Sequence, residues 1–255
     1  MMPKNFISDL KFKIEINKNL EDNLKRSYLH LFYQHLDGVS KKFNFNSNFL
    51  NKFLNNSLLR NNLPKEEQIL LKEIEVISSE STLAIGLLIN RICKTLQHKT
   101  YLNIGTLNGF SLFAGMINTK CNVIGVDNFC SSDSDIIKNN FFQNFNKLKK
   151  QNHQFLELDY KIALEKIRHE GKKINFYYYD AGHSFEDHRD NLIYVKDMLD
   201  DECLILIDDI GREEVIDGTY EGLKHYKNYK VLDKVITAHP RHPTFWNGYI
   251  LIRKN

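Results

Sequence analysis

The stretch TYLNIGTLNGFSLFAGMI, residues 100–117, decides the fold. A short apolar run reads as a strand that ends at Gly105, a tight turn passes through Leu107 and Asn108, and Gly109 opens a helix. The free amides of a helix entered in this way point at whatever sits over the turn, and Gly105 and Gly109 would let a ligand come close to the backbone. The spacing is G-x-x-x-G rather than the G-x-G-x-x-G of dinucleotide sites, and Leu107 stands where the second glycine of that fingerprint would be, which argues against a nicotinamide cofactor. Alone, the turn does not choose between a cofactor site and an ordinary α/β connection.

Downstream, apolar runs alternate with helical patterns: NVIGVD then 134–149, QFLELD then 161–169, INFYYYDA then a helix from Phe185 to about Leu199, and CLILIDDI then a helix near 219–226. This is the rhythm of a parallel sheet with crossover helices. YKVLDKVITA and WNGYILIRK follow, separated by only AHPRHPTF, too short for a crossover, so they should pair as an antiparallel hairpin at one sheet edge. The expectation is an α/β fold: a doubly wound, seven-stranded, mostly parallel sheet.

Upstream, Ser79 or Ser81 can cap a helix carrying Leu83, Ile85, Leu87, Leu88, Ile89, Ile92 and Leu96, too apolar all round for a surface helix. Pro64, followed by Lys65, Glu66 and Glu67, opens another helix and marks the domain seam. Residues 1–64 show helical spacing at Leu20, Leu24, Tyr28, Leu31, Phe32 and Leu36 and read as an N-terminal helical appendage to a 65–255 domain. Its apolar faces imply either a cap on an acceptor cleft or a homo-oligomer contact.

The chain has 255 residues and a formal charge of only +3, with no basic cluster interleaved with aromatics, so no nucleic-acid partner is indicated. No stretch approaches the roughly 18 apolar residues of a membrane span. Cys93, Cys121, Cys130 and Cys203 form no C-x-x-C pair and read as small buried hydrophobes, with a reducing cytoplasm as the natural setting.

The candidate site residues follow strand ends. Asp127 ends the second strand, where its carboxylate can accept both ribose hydroxyls of a nucleoside. Asp159 ends the third and could bind an adenine amine or simply cap the next helix. Asp180, Asp208 and Asp209 end the fourth and fifth strands, and three converging carboxylates would repel unless a cation joined them. An all-oxygen set suits Mg²⁺. His183, in the loop before a helix with the S-x-x-D capping box of Ser184 and Asp187, is the candidate general base. His188, His239 and His242 read as structural or solvated, although His242 or Trp246 could line an acceptor pocket.

NIGTLNGFS resembles the first motif of metal-dependent O-methyltransferases of the catechol type, and DAGHSFEDHRDNL resembles the D-G-x-H-S-[YF]-E signature of bacterial sugar and tailoring O-methyltransferases. The resemblance implies a Rossmann-like methyltransferase fold binding S-adenosylmethionine through Asn103, Gly105, Gly109, Asp127, Asp159 and Asp180, with Ser111 on the methionine carboxylate. Asn103 stands where that motif usually has Glu or Asp, and Ala181 replaces the usual Gly. It also implies Asp180, Asp208 and Asp209 as Mg²⁺ ligands. The expected activity is methyl transfer from S-adenosylmethionine to a hydroxyl of a sugar or other small molecule. The rival readings are a metal-independent methyltransferase and a catalytically degenerate cofactor-binding or partner module.

Overall fold

A computed structural model describes residues 65–130, 134–237, 240–241 and 245–255. The expected appendage at 1–64, with its capping or oligomer role, lies outside the described residues, as do His239 and His242.

The elements run α1 (Lys65–Ile74), α2 (Leu83–Thr95), β1 (Thr100–Ile104), α3 (Phe110–Met116), β2 (Asn122–Asp127), α4 (Ser134–Leu148), β3 (His153–Glu157), α5 (Tyr160–His169), β4 (Ile174–Tyr179), α6 (Phe185–Val195), β5 (Leu199–Asp208), α7 (Glu213–Leu223), β6 (Tyr229–Val235) and β7 (Tyr249–Lys254). The seven strands lie in the order β3-β2-β1-β4-β5-β7-β6. All pairings from β3 to β5 are parallel, while β7 runs antiparallel to both β5 and β6. The hairpin forms as expected, with β7 inserted against β5 and β6 left at the edge.

Strand alternation builds two cores. Tyr101, Phe176, Tyr178, Leu206 and Leu251 face one layer with Leu70, Leu88, Phe113 and Phe141. Leu102, Ile104, Tyr177, Tyr179, Ile205 and Ile207 face the other with Leu164, Leu192, Val215 and Leu223. Helices α1 to α4 therefore cover one face and α5 to α7 the other, which is why the central strands are apolar on both sides.

Four local expectations are corrected. Thr82, not Ser79 or Ser81, caps α2, its hydroxyl accepting from the Ile85 amide at 3.4 Å. Helix α6 stops at Val195, and a 3-10 turn over Lys196–Met198 leads into β5, so Leu199 already belongs to the strand. The helix expected near 219–226 lies earlier, at Glu213–Leu223. Cys130 is exposed, because it follows the end of β2 in a loop, whereas Cys93, Cys121 and Cys203 are buried.

A buried ion pair fixes α1 on α2: Arg91 Nε and Nη2 each donate to a Glu67 carboxylate oxygen at 2.8 Å. Two-point contact lets both charges stay buried with their hydrogen-bonding capacity used. Among the described residues no helix is long and apolar enough to cross a membrane.

Candidate active site

The order of strands reverses between β1 and β4, so the loops that leave their carboxyl ends diverge and open a crevice. A cavity of about 580 Å³ sits there, lined from Asp159 after β3 through Asp127 after β2 to Asp180 after β4 and Asp209 after β5. Those five strands span roughly 19 Å at the usual inter-strand spacing, wide enough for two ligands side by side.

The glycine turn is built by the protein's own packing. Gly105 has φ +80°, and a Cβ there would lie 1.8 Å from the Asp180 carbonyl oxygen. Gly109 has φ +96°, and a Cβ there would meet the Phe113 ring at 2.3 Å. The close approach expected of a ligand is thus made by β4 and α3. Gly105 lines the cavity but Gly109 does not.

Asp127 organises this turn. Its Oδ2 accepts from the amides of Thr106 at 2.7 Å and Leu107 at 2.8 Å, and its Oδ1 accepts from Phe129 N at 2.8 Å. A carboxylate has about four acceptor positions, so one remains on Oδ1 for a ligand hydroxyl. Asn103 is fully buried and does not line the cavity; its Oδ1 accepts from Ser111 Oγ at 2.9 Å, and its Nδ2 donates to Gly105 O at 3.3 Å. Asn103 therefore braces the turn from below, while Ser111 reaches the cavity wall. Asp159 caps α5, its Oδ1 accepting from Lys161 N at 2.9 Å, and still lines the cavity.

On the other side of β1, the ligand atoms of Asp180, His183 and Asp209 all lie within 4.8 Å of one another. His183 Nε2 is 2.7 Å from Asp209 Oδ2, within ion-pair reach but without hydrogen-bond alignment. Burial and the neighbouring carboxylates of Asp208 and Asp209 push the Asp180 carboxyl well above its usual range. Burial also pushes Asp209 up, but the His183 ring, the Asn247 amide and Arg212 outweigh it and hold Asp209 below the usual range.

Asp208 does not join this cluster. It shares the face of β5 with Leu206, opposite Tyr178, whose hydroxyl donates to Asp208 Oδ2 and also lies 3.2 Å from Asp180 Oδ2. The other Asp208 oxygen accepts from Asp209 N at 2.9 Å, and burial together with Asp209 pushes the carboxyl up to about 7. Asp209, at φ 59°, leaves the strand's alternation and carries its side chain into the cavity. Of the expected triad, Asp180 and Asp209 meet at the cavity together with His183, while Asp208 does not line it.

Other cavity residues escaped sequence reasoning. The loop Ser78, Ser79, Glu80 and Ser81 forms one wall, and Ser81 Oγ and Asn108 Oδ1 are buried with no hydrogen-bond partner. Trp246 lines the cavity, as one of two candidates. Leu107, Phe129, Asp209 and Trp246 all have positive φ and all line the cavity. Left-handed backbone at bulky residues is costly, and its concentration here is characteristic of a functional site.

His188 is structural: it is 1 % exposed, packs edge-on to Tyr179 at 5.1 Å, and is pushed down to about 4 by burial and by His183. Burial and Lys150 push His153 down to about 4 as well. Both folded values lie below the ordinary 6.5, so the stability they allow is complete above pH 6.5 and is lost as pH falls toward 4. The expected loss approaches about 1.4 kcal/mol per pH unit for each ring. Urea midpoints between pH 7.5 and 4.5 measure it: His153→Gln should flatten the fall, and an identical slope in that variant would contradict the assignment.

No protein-family model matches the chain, and no curated protein matches its sequence. Solved structures do match in fold. An O-methyltransferase from Bacillus cereus, in complex with SAH, superposes with a TM-score of 0.58 at 13% identity over 81% of this chain and 97% of that one. An O-methyltransferase of tomaymycin synthesis from Streptomyces achromogenes, in complex with SAM, gives 0.52 at 11% identity over 70% of this chain and 82% of that one. A Klebsiella pneumoniae protein with a provisional O-methyltransferase designation gives 0.56 at 16% identity over 82% and 96%. The sheet order, the antiparallel β7 and these superpositions together establish that this chain has the α/β fold of the class I methyltransferases.

Proposed function

We propose that the protein is an S-adenosylmethionine-dependent methyltransferase acting on a hydroxyl of a sugar or other small molecule, assisted by a divalent cation such as Mg²⁺. One observation carries this reading: a single cavity joins the loop anchored by Asp127 to the cluster of Asp180, His183 and Asp209. The solved neighbours with SAH or SAM bound share this fold and support the choice of cofactor.

The donor set suits the cofactor. Asp127 Oδ1 and Asp159 can accept from the nucleoside hydroxyls and amine, the unpartnered Asn108 Oδ1 can accept from the ammonium of the methionine moiety, and the Ser81 hydroxyl can donate to its carboxylate. The converging carboxylates of Asp180 and Asp209 suit a cation, and the orphaned His183 Nε2 beside them is free to take a proton. A bound dication would lower the pKa of the acceptor hydroxyl. Asp180 and Asp209 would hold that cation beside the acceptor hydroxyl, and His183 takes the hydroxyl proton. The new carbon–oxygen bond forms as the carbon–sulfur bond breaks, leaving a neutral thioether, a methyl ether and a protonated imidazole.

The 2.7 Å approach of His183 Nε2 to Asp209 favours a second reading, in which the carboxylate orients the imidazole and no metal takes part. Calorimetric titration with S-adenosylmethionine, followed by transfer of a labelled methyl group to a panel of phenols and glycosides before and after chelation, tests both. The expected result is binding with Kd on the order of 10 µM, within the usual range for enzyme substrates, and transfer that chelation abolishes and Mg²⁺ restores. Transfer indifferent to chelation selects the His183–Asp209 pair, and no heat at millimolar cofactor overturns the methyltransferase reading.

A further inference from the structure

Among the described residues of the β6–β7 loop, Asn247 meets the end of β5 through both its side chain and its backbone, next to the pairing of Asp208 with Tyr249. Asn247 is 8% exposed. Its Nδ2 donates to Asp209 Oδ1 at 2.7 Å, its Oδ1 accepts from Arg241 N at 2.7 Å, and its carbonyl accepts from Gly211 N at 2.8 Å. Gly211 is needed for this approach, because a Cβ there would stand 2.6 Å from the Asn247 carbonyl oxygen. The adjoining Trp246 is held at φ 56°, with its carbonyl accepting from Thr237 Oγ1 at 3.1 Å and its side chain against the cavity.

The consequence lies in how the Asp209 carboxylate is shared. Its Oδ1 is occupied by Asn247, which sets the rotation of the group and leaves Oδ2 toward His183 Nε2 at 2.7 Å. A carboxylate held by Arg212 alone, whose Nε is 3.8 Å away and whose side chain is largely exposed, would turn freely. Neutral Asn does this without competing for the negative charge, and its own acceptor oxygen locks the loop in return.

We propose that Asn247 is a positioning residue: it clasps the β6–β7 loop to Asp209, so that the Trp246 wall and the His183–Asp209 pair face the cavity as one unit. The clasp itself stands on the geometry; its service to an acceptor rests on the proposed methyl transfer. An acceptor with a flat apolar face, an aromatic ring or the C–H face of a pyranose, would pack on Trp246 and meet a carboxylate already oriented.

Trp246 is the chain's single tryptophan, so its fluorescence reads the clasp directly. In Asn247→Ala, with far-UV circular dichroism unchanged, the emission should shift to the red and acrylamide quenching should rise several-fold. Asp209→Ala should shift the emission in the same direction, and the double variant should add nothing beyond Asn247→Ala, because the Asn247–Asp209 contact is common to both. Asp209→Asn keeps the acceptor and tolerates positive φ, so the emission should stay in place. The His183 ring resonances should move in Asn247→Ala but not in Gly171→Ala, a change remote from the site. Affinity for SAH should be unaffected, since the Asp127 side is intact.

Should Asn247→Ala not fold, Gly211→Ala, which pushes the Asn247 carbonyl from the opposite side, must give the same red shift. Unchanged quenching in a folded Asn247→Ala, or additive shifts in the double variant, would overturn the clasp. Wild-type protein that binds no SAH while the tryptophan shifts appear as expected would instead sink the methyltransferase reading and leave the clasp standing.

Discussion

Replacing Asp127 with Ala is expected to weaken binding of S-adenosylhomocysteine at least about 100-fold and to lower the unfolding midpoint as well. The carboxylate accepts from three backbone amides, those of the cavity-lining residues Thr106, Leu107 and Phe129. Removing a charged acceptor leaves each donor short of a partner, at roughly 1–3 kcal/mol where water cannot replace it. Leu107 and Phe129 also have φ of 48° and 50°, conformations that bulky residues leave unless held. The turn therefore relaxes, and the ligand loses both its acceptor on Oδ1 and the shape of the wall beneath it. At about 1.4 kcal/mol per tenfold, even two orphaned amides account for the predicted loss. Asp127→Asn should fall between, because one amide oxygen can still serve two donors while its NH₂ group opposes the third. Calorimetry on the two variants decides the matter: affinity within threefold of wild type in Asp127→Ala would remove Asp127 from both the turn and the ligand site.

The double role of Asp127 shows where sequence reading works and where it stops. Strand and helix periodicity placed all seven strands and the edge hairpin, because alternation and apolar runs are local signals that tertiary packing then confirms on both sheet faces. The site was legible in outline, since carboxylates at strand ends must gather at one edge of a parallel sheet. Its donor set was not. Asp208 and Asp209 look equivalent in CLILIDDI, yet strand parity sends Asp208 toward Tyr178 while a left-handed φ turns Asp209 into the cavity. The parity was readable, because Asp208 shares the face of Leu204 and Leu206; the reversal at Asp209 was not. Ser81, Asn108 and Asn247 were missed for another reason. They are ordinary polar residues in loops, and only their burial, with atoms that lack partners or have all of them filled, sets them apart. That is a property of distant chain segments meeting, which no local pattern carries.

The effect expected of Gly105→Ala is larger still, because it strikes the fold and the site together. The added methyl group would lie 1.8 Å from the carbonyl oxygen and 2.5 Å from the carbonyl carbon of Asp180, both backbone atoms of the neighbouring strand end that no rotamer change can move aside. Relief requires β1 and β4 to part at their carboxyl ends, where Asp180 N donates to Ile104 O at 2.9 Å. Left-handed backbone costs a residue with Cβ about 1–2 kcal/mol, and overpacking a close contact adds typically 1–3 kcal/mol. The sum, about 2–5 kcal/mol, is a large share of the stability of an ordinary domain. Gly171→Ala provides the control: its φ is +65°, but nothing lies within 4 Å of the new Cβ, so only the backbone cost of about 1–2 kcal/mol applies. Urea denaturation of the two variants separates conformation from contact, and equal losses would mean that β4 does not pass so close to Gly105. Where Gly105→Ala still folds, the displaced strand end carries Asp180 away from His183 and Asp209, and Mn²⁺ used as a paramagnetic probe of the cluster should bind more weakly than to the Gly171→Ala control. Retained affinity would show that the three donors are not held together through the end of β4.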